Sequence, residues 1–181
     1  MKRALLAIAL LSISACAGQQ SVEHGVVNLV QVRADVYRSG QPTADGMQYL
    51  RGLGIRHVIK LNFDDESPET GAFEAGIEVH RVSIQPSTKG IDIFARPSHE
   101  AMDALWKLAE RILYAQGSEG AWLVHCQNGH DRTGLVVGMI RMVVDGWTPE
   151  QAWAEMLARG YHDELVGLNW AFRQFAERVQ R

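Results

Sequence analysis

Four hydrophobic stretches of the chain have the composition or the alternation that is typical of β-strands. They are residues 26–32, 55–62, 76–84 and 121–125. The last of them is short, apolar and preceded by glycine, as expected of a strand that is buried on both faces. The sequence DVYRSGQPT, residues 35–43, contains glycine and proline and is predicted to be a turn.

Hydrophobic residues at helical spacing predict helices between these strands. A long helix is expected to start near Ser98, because four hydrophobic residues recur on one face after it. Residues 133–146 exceed the length of a typical strand and follow a glycine turn, so a buried helix is predicted there. The other predicted helices cover residues 43–53, 69–75, 149–159 and 165–178. Strands that alternate with helices predict an α/β fold with a central, mainly parallel sheet flanked by helices.

The first 15 residues are predicted to be a secretory signal peptide. A basic start precedes an apolar run, residues 4–13, which is too short to cross a bilayer. The small residues before Cys16 resemble the lipobox of bacterial lipoproteins, which implies cleavage before Cys16 and lipid on that residue. Residues 16–25 are then a lipidated tether, and residues 26–181 are the folded domain.

This resemblance implies an exported protein that is anchored to the cell envelope by its lipid. Ala17 after the lipidated residue is compatible with the periplasmic face of an outer membrane. The alternative is an ordinary secreted protein in which Cys16 merely lies near the cleavage site.

Composition limits the classes of function. A chain of 181 residues suggests one domain, here expected to be a monomer, and 46% hydrophobic residues are enough for a packed core. The formal net charge of −3 argues against a nucleic-acid partner, because binding to a phosphate backbone needs a basic face. If Cys16 is lipidated, Cys126 has no cysteine to pair with, and an unpaired thiol in an exported protein suggests chemical use.

The sequence HCQNGHDRTG, residues 125–134, joins the predicted buried strand to the predicted buried helix. A tight loop at a helix N-terminus presents unpaired backbone N–H groups and the positive end of the helix dipole, so it binds tetrahedral anions. The same field favours the thiolate form of Cys126. Arg132 adds a planar guanidinium that can bind two phosphate oxygens.

The other residues of this loop have predicted supporting roles. Thr133 is expected to donate a hydrogen bond to the sulfur, and His125 is expected to orient the loop. A buried structural cysteine is the alternative, but the combined pattern would arise by chance on the order of one time in a million. The residues predicted to surround a bound phosphate, besides Arg132, are Gln127, Asn128, Gly129 and His130.

The loop resembles, at every fixed position, the signature HCxxGxxR[ST]G of the cysteine-dependent protein-tyrosine and dual-specificity phosphatases. Residues 36–42 and 54–62, VYRSGQP and GIRHVIKLN, are similar to the opening segments of compact bacterial and fungal members. The resemblance implies a phosphatase P-loop between the central strand and the buried helix. It also implies a two-step mechanism with no metal or cofactor, in which Cys126 attacks phosphorus and water then hydrolyses the phosphocysteine.

The resemblance leaves two candidates for the general acid that protonates the leaving group. Most members carry an aspartate just after the strand that precedes the long helix, but Gln85 and Pro86 stand there. Asp92 lies in the same loop, and Asp131 lies beside Arg132, where myotubularins and bacterial phosphatases ending in GKDRTG also carry aspartate. Asp131 is favoured, and its alternative role is a carboxylate that points away and braces the loop.

Three further predictions concern polar residues near the loop. His130 either adds a pH-dependent positive charge to the pocket or is a solvated loop histidine. Arg38 is expected to brace a loop rather than bind substrate. Asp64, Asp65 and Glu66 are expected to lie in a solvated loop.

The predicted function is the hydrolysis of phosphate monoesters on a phosphoprotein or a phosphorylated small molecule. Phosphotyrosine or phosphoserine proteins and inositol phosphates are both candidate substrates, with a slight preference for inositol phosphates because of Asp131 and His130. One alternative is a non-catalytic lipoprotein that binds phosphate-bearing anions in the same loop. A sulfur-transferase-like enzyme is a second alternative, which Thr133 and Gly134 disfavour.

Overall fold

The structure, a computed structural model, describes residues 21–85 and 96–181. The predicted signal peptide, the predicted lipidation site Cys16 and the candidate acid Asp92 lie outside the described residues. Among the described residues, no helix has both the length and the hydropathy that crossing a bilayer requires.

A five-stranded, mostly parallel sheet forms the centre of the fold. Its strands are β3 (Val30–Arg33), β4 (Val36–Ser39), β5 (Ile55–Lys60), β6 (Glu78–Arg81) and β7 (Ala121–His125). They lie in the order β3-β4-β7-β5-β6, and within the described ranges β3 and β4 are the antiparallel pair. Before them, β1 (Val22–Glu23) and β2 (Val26–Val27) form a hairpin that includes part of the predicted tether.

Five helices cover the sheet in the described parts of the chain. They are α1 (Ala44–Gly52), α2 (His99–Ala115), α3 (Asp131–Val144), α4 (Pro149–Ala158) and α5 (Val166–Val179). Side-chain caps start three of them: Thr43 for α1, Ser98 for α2, and Thr148 with a full capping box for α4. These helices and the mostly parallel sheet confirm the predicted α/β fold. The helix predicted at residues 69–75 is wrong, because residues 69–71 form no regular structure and turns cover residues 72–75.

Alternation along β7 directs its side chains into two hydrophobic cores. Trp122, Val124 and Cys126 pack in the larger core, which lies between the sheet and the helices α2, α3, α4 and α5. Leu123 packs in the smaller core beneath α1. Because both faces are covered, β7 is buried, as its apolar sequence predicts.

The turn predicted at residues 35–43 is wrong for its first half, where β4 lies. β4 pairs with β3 on one side and with β7 on the other, so both of its edges are hydrogen-bonded in the sheet. The strand predicted at residues 26–32 is also interrupted, because Asn28 takes a left-handed conformation with φ +52°. Long-range pairing with β7, which local sequence does not show, decides the conformation of β4.

Candidate active site

Cys126 leaves the C-terminal end of β7, and α3 begins five residues later at Asp131. Residues 126–132 are called here the Cys126 loop. The Cys126 side chain is buried, with 3% of the residue exposed, and the backbone N–H of Gly129 donates to its Sγ at 3.4 Å. The sulfur therefore accepts from the backbone of the loop that leads into the N-terminus of α3, the positive end of the helix dipole.

Position 129 needs glycine for two reasons: its backbone has a positive φ, and neighbouring backbone atoms leave no room for a side chain. Its φ is +79°, and a Cβ there would lie 2.6 Å from the backbone N of Gly40 and from the carbonyl carbon of Ser39. The backbone N–H of Gln41 also donates to the Gln127 carbonyl at 3.1 Å. The end of β4 thus holds the Cys126 loop in place.

Arg132 is buried and is held along one edge of its guanidinium. Its Nη1 and Nη2 donate to the two carboxylate oxygens of Glu66 at 3.0 and 2.9 Å, and Nη1 also donates to the Ile84 carbonyl at 3.3 Å. A guanidinium has five N–H groups. The Nε–H and the second Nη2 hydrogen have no protein partner in the described part of the chain, so this edge remains for two phosphate oxygens.

Glu66 lies in an exposed loop, as the sequence predicts, but it also contacts the candidate site, which the sequence does not predict. Its side chain is 27% exposed and forms the two-point ion pair with Arg132. No spacing rule connects residues 66 apart, so only the tertiary structure reveals the pair. We infer that Glu66 orients the guanidinium toward the Cys126 loop.

Glu66→Gln is expected to lower kcat/KM by about tenfold, because an amide offers Arg132 one oxygen instead of two and no charge. Steady-state kinetics on an aryl phosphate measure the change. Asp65→Asn is the matched control, since it removes a neighbouring exposed carboxylate and should leave the rate unchanged. If Glu66→Gln and Asp65→Asn both have the kcat/KM of the parent protein, the orienting role of Glu66 is excluded.

Arg38 braces the Cys126 loop from β4, as predicted. Its Nη2 donates to the carbonyl of Gly129 at 2.8 Å and lies 3.4 Å from that of His130. Burial lowers the pKa of this guanidinium to about 10, and the positive charges of Arg159 and Arg141 add to that effect while Glu155 opposes it. Arg38 is therefore a positive charge behind the loop, bonded to its backbone.

A buried polar cluster lies on the other face of β7, beneath the Cys126 loop. His125 is fully buried, and its Nε2 lies 3.1 Å from Oε2 of Glu69, close enough for an ion pair although not aligned for a linear hydrogen bond. Lys60 Nζ lies 3.8 Å from the same oxygen. Burial alone would raise the pKa of Glu69, but contacts with His125, Gln41 and Lys60 outweigh it and lower that pKa.

Asp131 occupies the first position of α3, where its charge suits the helix dipole. Its Oδ1 accepts hydrogen bonds from the backbone N–H and from Nδ1 of His162, both at 2.9 Å. This contact raises the pKa of His162. The structure thus places one carboxylate oxygen of Asp131 in a bracing contact, while Oδ2 has no recorded partner among the described residues.

His130 and Thr133 make contacts around the edge of the loop. The His130 ring lies between the Arg159 carbonyl, 3.0 Å from Nδ1, and the side chain of Asn28, 3.1 Å from Nε2. The Thr133 hydroxyl is 3.5 Å from the Ser39 carbonyl, so its recorded contact is with β4 and not with the sulfur. The predicted contact of Thr133 with Sγ remains a prediction for the thiolate state.

An open groove of about 510 Å³ adjoins the Cys126 loop. Gln127 and Asn128 of the loop line it, together with other polar residues that include Gln41, Ser67 and Thr70. None of the described residues that line this groove is charged. In the described residues, the group of side chains that could hold a metal ion lies elsewhere, on β5 and β6.

Sequence comparisons find similar proteins among the phosphatases. The dual specificity protein phosphatase TpbA of Pseudomonas aeruginosa strain UCBPP-PA14 is 33% identical over 138 residues, which cover 76% of this chain and 57% of that protein. The inositol diphosphatase DSP2 of Oryza sativa subsp. japonica is 28% identical over 118 residues, 64% of this chain and 53% of that protein. This chain therefore spans little more than half the length of these relatives.

A solved structure shows the same fold. The crystal structure of a P. aeruginosa TpbA variant in complex with pTyr superimposes with a TM-score of 0.61 at 21% identity, covering 93% of this chain and 99% of that one. The family model described as "Tyrosine phosphatase family" matches residues 26–159, which include β2 through α4 and the whole Cys126 loop. The chain belongs to the tyrosine phosphatase family.

Proposed function

We propose that this protein hydrolyses phosphate monoesters through a phosphocysteine intermediate on Cys126. The observation that carries the proposal is the joint placement of a buried sulfur at the start of α3 and an Arg132 edge that has no partner among residues 21–85 and 96–181. The thiolate attacks phosphorus, the ester P–O bond breaks, and the leaving oxygen takes a proton from a general acid. Water then gives a proton to the deprotonated acid and attacks phosphorus, the P–S bond breaks, and phosphate and the thiolate are released.

The protein stabilises the charge of the transferring phosphoryl group with parts that are already in place. The backbone of the Cys126 loop is fixed by β4 and by Arg38, and the guanidinium of Arg132 is fixed by Glu66. Groups that are oriented before the reaction stabilise a transition state without a further cost of reorganisation. The arrangement therefore supports catalysis as well as phosphate binding.

We propose phosphotyrosine in proteins as the first substrate class. The groove beside the loop has a volume of about 510 Å³ and its described lining is uncharged, which suits a polypeptide segment that carries one phosphate. A substrate with several phosphates needs several cations for recognition. Similarity to TpbA, whose name is that of a dual specificity protein phosphatase, supports the same choice. Inositol phosphates, slightly preferred from sequence alone, are the second class, and similarity to the inositol diphosphatase DSP2 supports them.

Hydrolysis of para-nitrophenyl phosphate in the presence of EDTA tests the proposed reaction. Turnover is expected, because every step above uses only residues of this chain and water. A parallel panel of phosphotyrosyl peptides, phosphoseryl peptides and inositol phosphates tests the substrate, and the highest kcat/KM is expected for a phosphotyrosyl peptide. Retained phosphate binding with no turnover on any monoester would instead support the non-catalytic binding protein.

We propose that Asp131 is the general acid. Its Oδ2 would protonate the leaving group while its Oδ1 accepts the hydrogen bonds from His162. Asp131→Asn keeps an oxygen that can accept from the His162 N–H, so the brace survives and the proton is lost. The variant is expected to lose on the order of 100-fold in kcat on an alkyl phosphate and far less on para-nitrophenyl phosphate. The reason is that an alkoxide is a poor leaving group and must be protonated as it departs, whereas para-nitrophenolate departs readily without a proton.

Two variants are the controls for the test of Asp131 as the general acid. His162→Ala removes the ring contact with Asp131 but keeps the backbone N–H that donates to Oδ1, and it should lower both rates by the same small factor. Asp92→Asn tests the other candidate with the same pair of substrates. A leaving-group-dependent loss in Asp92→Asn and equal losses in Asp131→Asn would reassign the acid to Asp92.

The proposal includes export and lipid attachment at Cys16, which rest on the sequence of residues 1–16. A lipid on the first mature residue would tether the domain to a membrane surface through the segment that precedes the β1–β2 hairpin. The substrates would then be those that reach the cell envelope.

A further inference from the structure

Three side chains that can bind metal ions meet on β5 and β6, away from the Cys126 loop. Nδ1 of His57 lies 3.0 Å from Oε2 of Glu78 and 3.4 Å from Nε2 of His80. Nε2 of His80 lies 3.5 Å from Oε1 of Glu78. The register of the sheet causes this meeting, because His57 pairs with Glu78 and residues two apart on a strand share a face.

The hydrogen bond on the far side of His57 fixes which nitrogen faces the cluster. Its Nε2 lies 3.2 Å from the backbone carbonyl of Glu119, which can only accept, so Nε2 carries the hydrogen. The lone pair of Nδ1 then points toward a carboxylate oxygen at 3.0 Å. Two acceptors at this distance repel each other unless a proton or a metal cation lies between them. A histidine whose second nitrogen donates to a backbone carbonyl is also the usual arrangement of metal ligands.

The spacing of the donor atoms matches a zinc ion. Zinc–nitrogen and zinc–oxygen distances of about 2.0–2.1 Å place two ligands of a tetrahedral site about 3.3–3.4 Å apart. The three separations here are 3.0, 3.4 and 3.5 Å. We propose that His57, Glu78 and His80 form a binding site for one divalent transition-metal ion, Zn²⁺ in the first place, with water as the fourth ligand.

The surroundings of the cluster are consistent with a cation. Arg111 of α2 lies 3.7 Å from Glu78, but its Nε donates to Glu119 at 2.7 Å, which offsets its charge. The ring of Trp122 stacks on the ring of His57 at a centroid distance of 4.3 Å and holds its orientation. The Glu78 side chain is 55% exposed, so an ion can enter from solvent and keep a water ligand.

The proposed site is structural and not catalytic. His57 lies opposite Trp122 in the sheet, four residues before Cys126 along β7. Four residues of a strand span about 13 Å, too far for a metal ligand to touch a phosphate at the Cys126 loop. A metal ion would join β5 to β6 at the edge of the sheet and raise the stability of the fold through its binding energy.

Zinc binding to the full chain tests the site, in a Cys126→Ser background that removes the thiol of the loop as a competing ligand. Isothermal titration calorimetry is expected to give one Zn²⁺ per chain. His80→Ala and Glu78→Gln in the same background should each weaken binding at least tenfold, while His24→Ala, an exposed histidine outside the cluster, should leave it unchanged. Zinc at 100 times its Kd should raise the Tm by about 5–10 °C, and only with the cluster intact.

Circular dichroism and melting in EDTA show whether each variant folds. Glu78→Gln decides the question if His80→Ala does not fold, because Glu78 lies largely in solvent. X-ray absorption of the zinc complex should show nitrogen and oxygen ligands at about 2.0 Å. Equal zinc affinity in the parent and in Glu78→Gln, or no saturable binding, would overturn the proposal.

Discussion

Cys126→Ser is expected to abolish turnover, with a loss on the order of 10⁴-fold or more in kcat on para-nitrophenyl phosphate. A serine hydroxyl is far less nucleophilic than a thiolate, and no base in the described part of the site is placed to activate it. The backbone N–H groups of the loop and the guanidinium of Arg132 are untouched by the change. The variant should therefore still bind the phosphate monoester while failing to cleave it.

Two measurements on the same protein separate these effects. Product release at 405 nm reports turnover, and calorimetric titration with para-nitrophenyl phosphate reports binding to the unreactive variant. The expected result is a dissociation constant close to the KM of the parent protein. Turnover in Cys126→Ser at a rate near that of the parent would refute the phosphocysteine mechanism, and loss of binding together with turnover would indicate a damaged fold.

Arg132→Lys is expected to lower kcat by about 10²- to 10³-fold and to raise KM, although the positive charge is kept. Lysine has one ammonium group and cannot bond Glu66, the Ile84 carbonyl and two phosphate oxygens at the same time. Steady-state kinetics on para-nitrophenyl phosphate measure both parameters. Arg81→Lys is the matched control, because that arginine is half exposed and pairs with Asp64 away from the loop.

A double-mutant cycle connects this prediction to that for Glu66. If Glu66 acts through Arg132, then Glu66→Gln should have little further effect once Arg132 is lysine. The expected coupling is therefore close to the whole effect of the single Glu66 substitution. Additive losses would show that Glu66 acts on the reaction without Arg132. An Arg132→Lys variant with the kcat of the parent protein would refute the proposed role of the guanidinium.

The Cys126 loop shows how far a local pattern predicts a site. The ten residues 125–134 connect a strand and a helix that the length of their apolar runs and the positions of glycine both predict, and the structure places Cys126 directly after β7 and Arg132 in the first turn of α3. The partners that fix them come from elsewhere: Glu66 and Arg38 lie 66 and 94 residues from Arg132 along the chain. Such partners leave no spacing that can be recognised, because the distance in space depends on how β4, β5 and β7 align.

The errors in the predicted elements have the same origin. The sequence YRSG looks like a turn because glycine and serine favour turns locally, yet β3 and β7 supply hydrogen bonds that make Val36–Ser39 a strand. Residues 69–75 have helical composition, yet Glu69 is drawn beneath the loop by His125 and Lys60. Pairing and burial outweigh local preference wherever a segment has a partner on each side.

The sequence by itself determined the alternation of strands and helices, the helix caps, and the thiol loop with its guanidinium, because each of these depends on residues within a few positions of one another. Only the tertiary structure decided which face of β7 holds the buried ion cluster, which carboxylate orients Arg132, and where Asp131 directs one of its oxygens. It also brought His57, Glu78 and His80 together, since strand register sets which side chains meet. Contacts between distant segments depend on the packing of the whole chain, which a local pattern does not record.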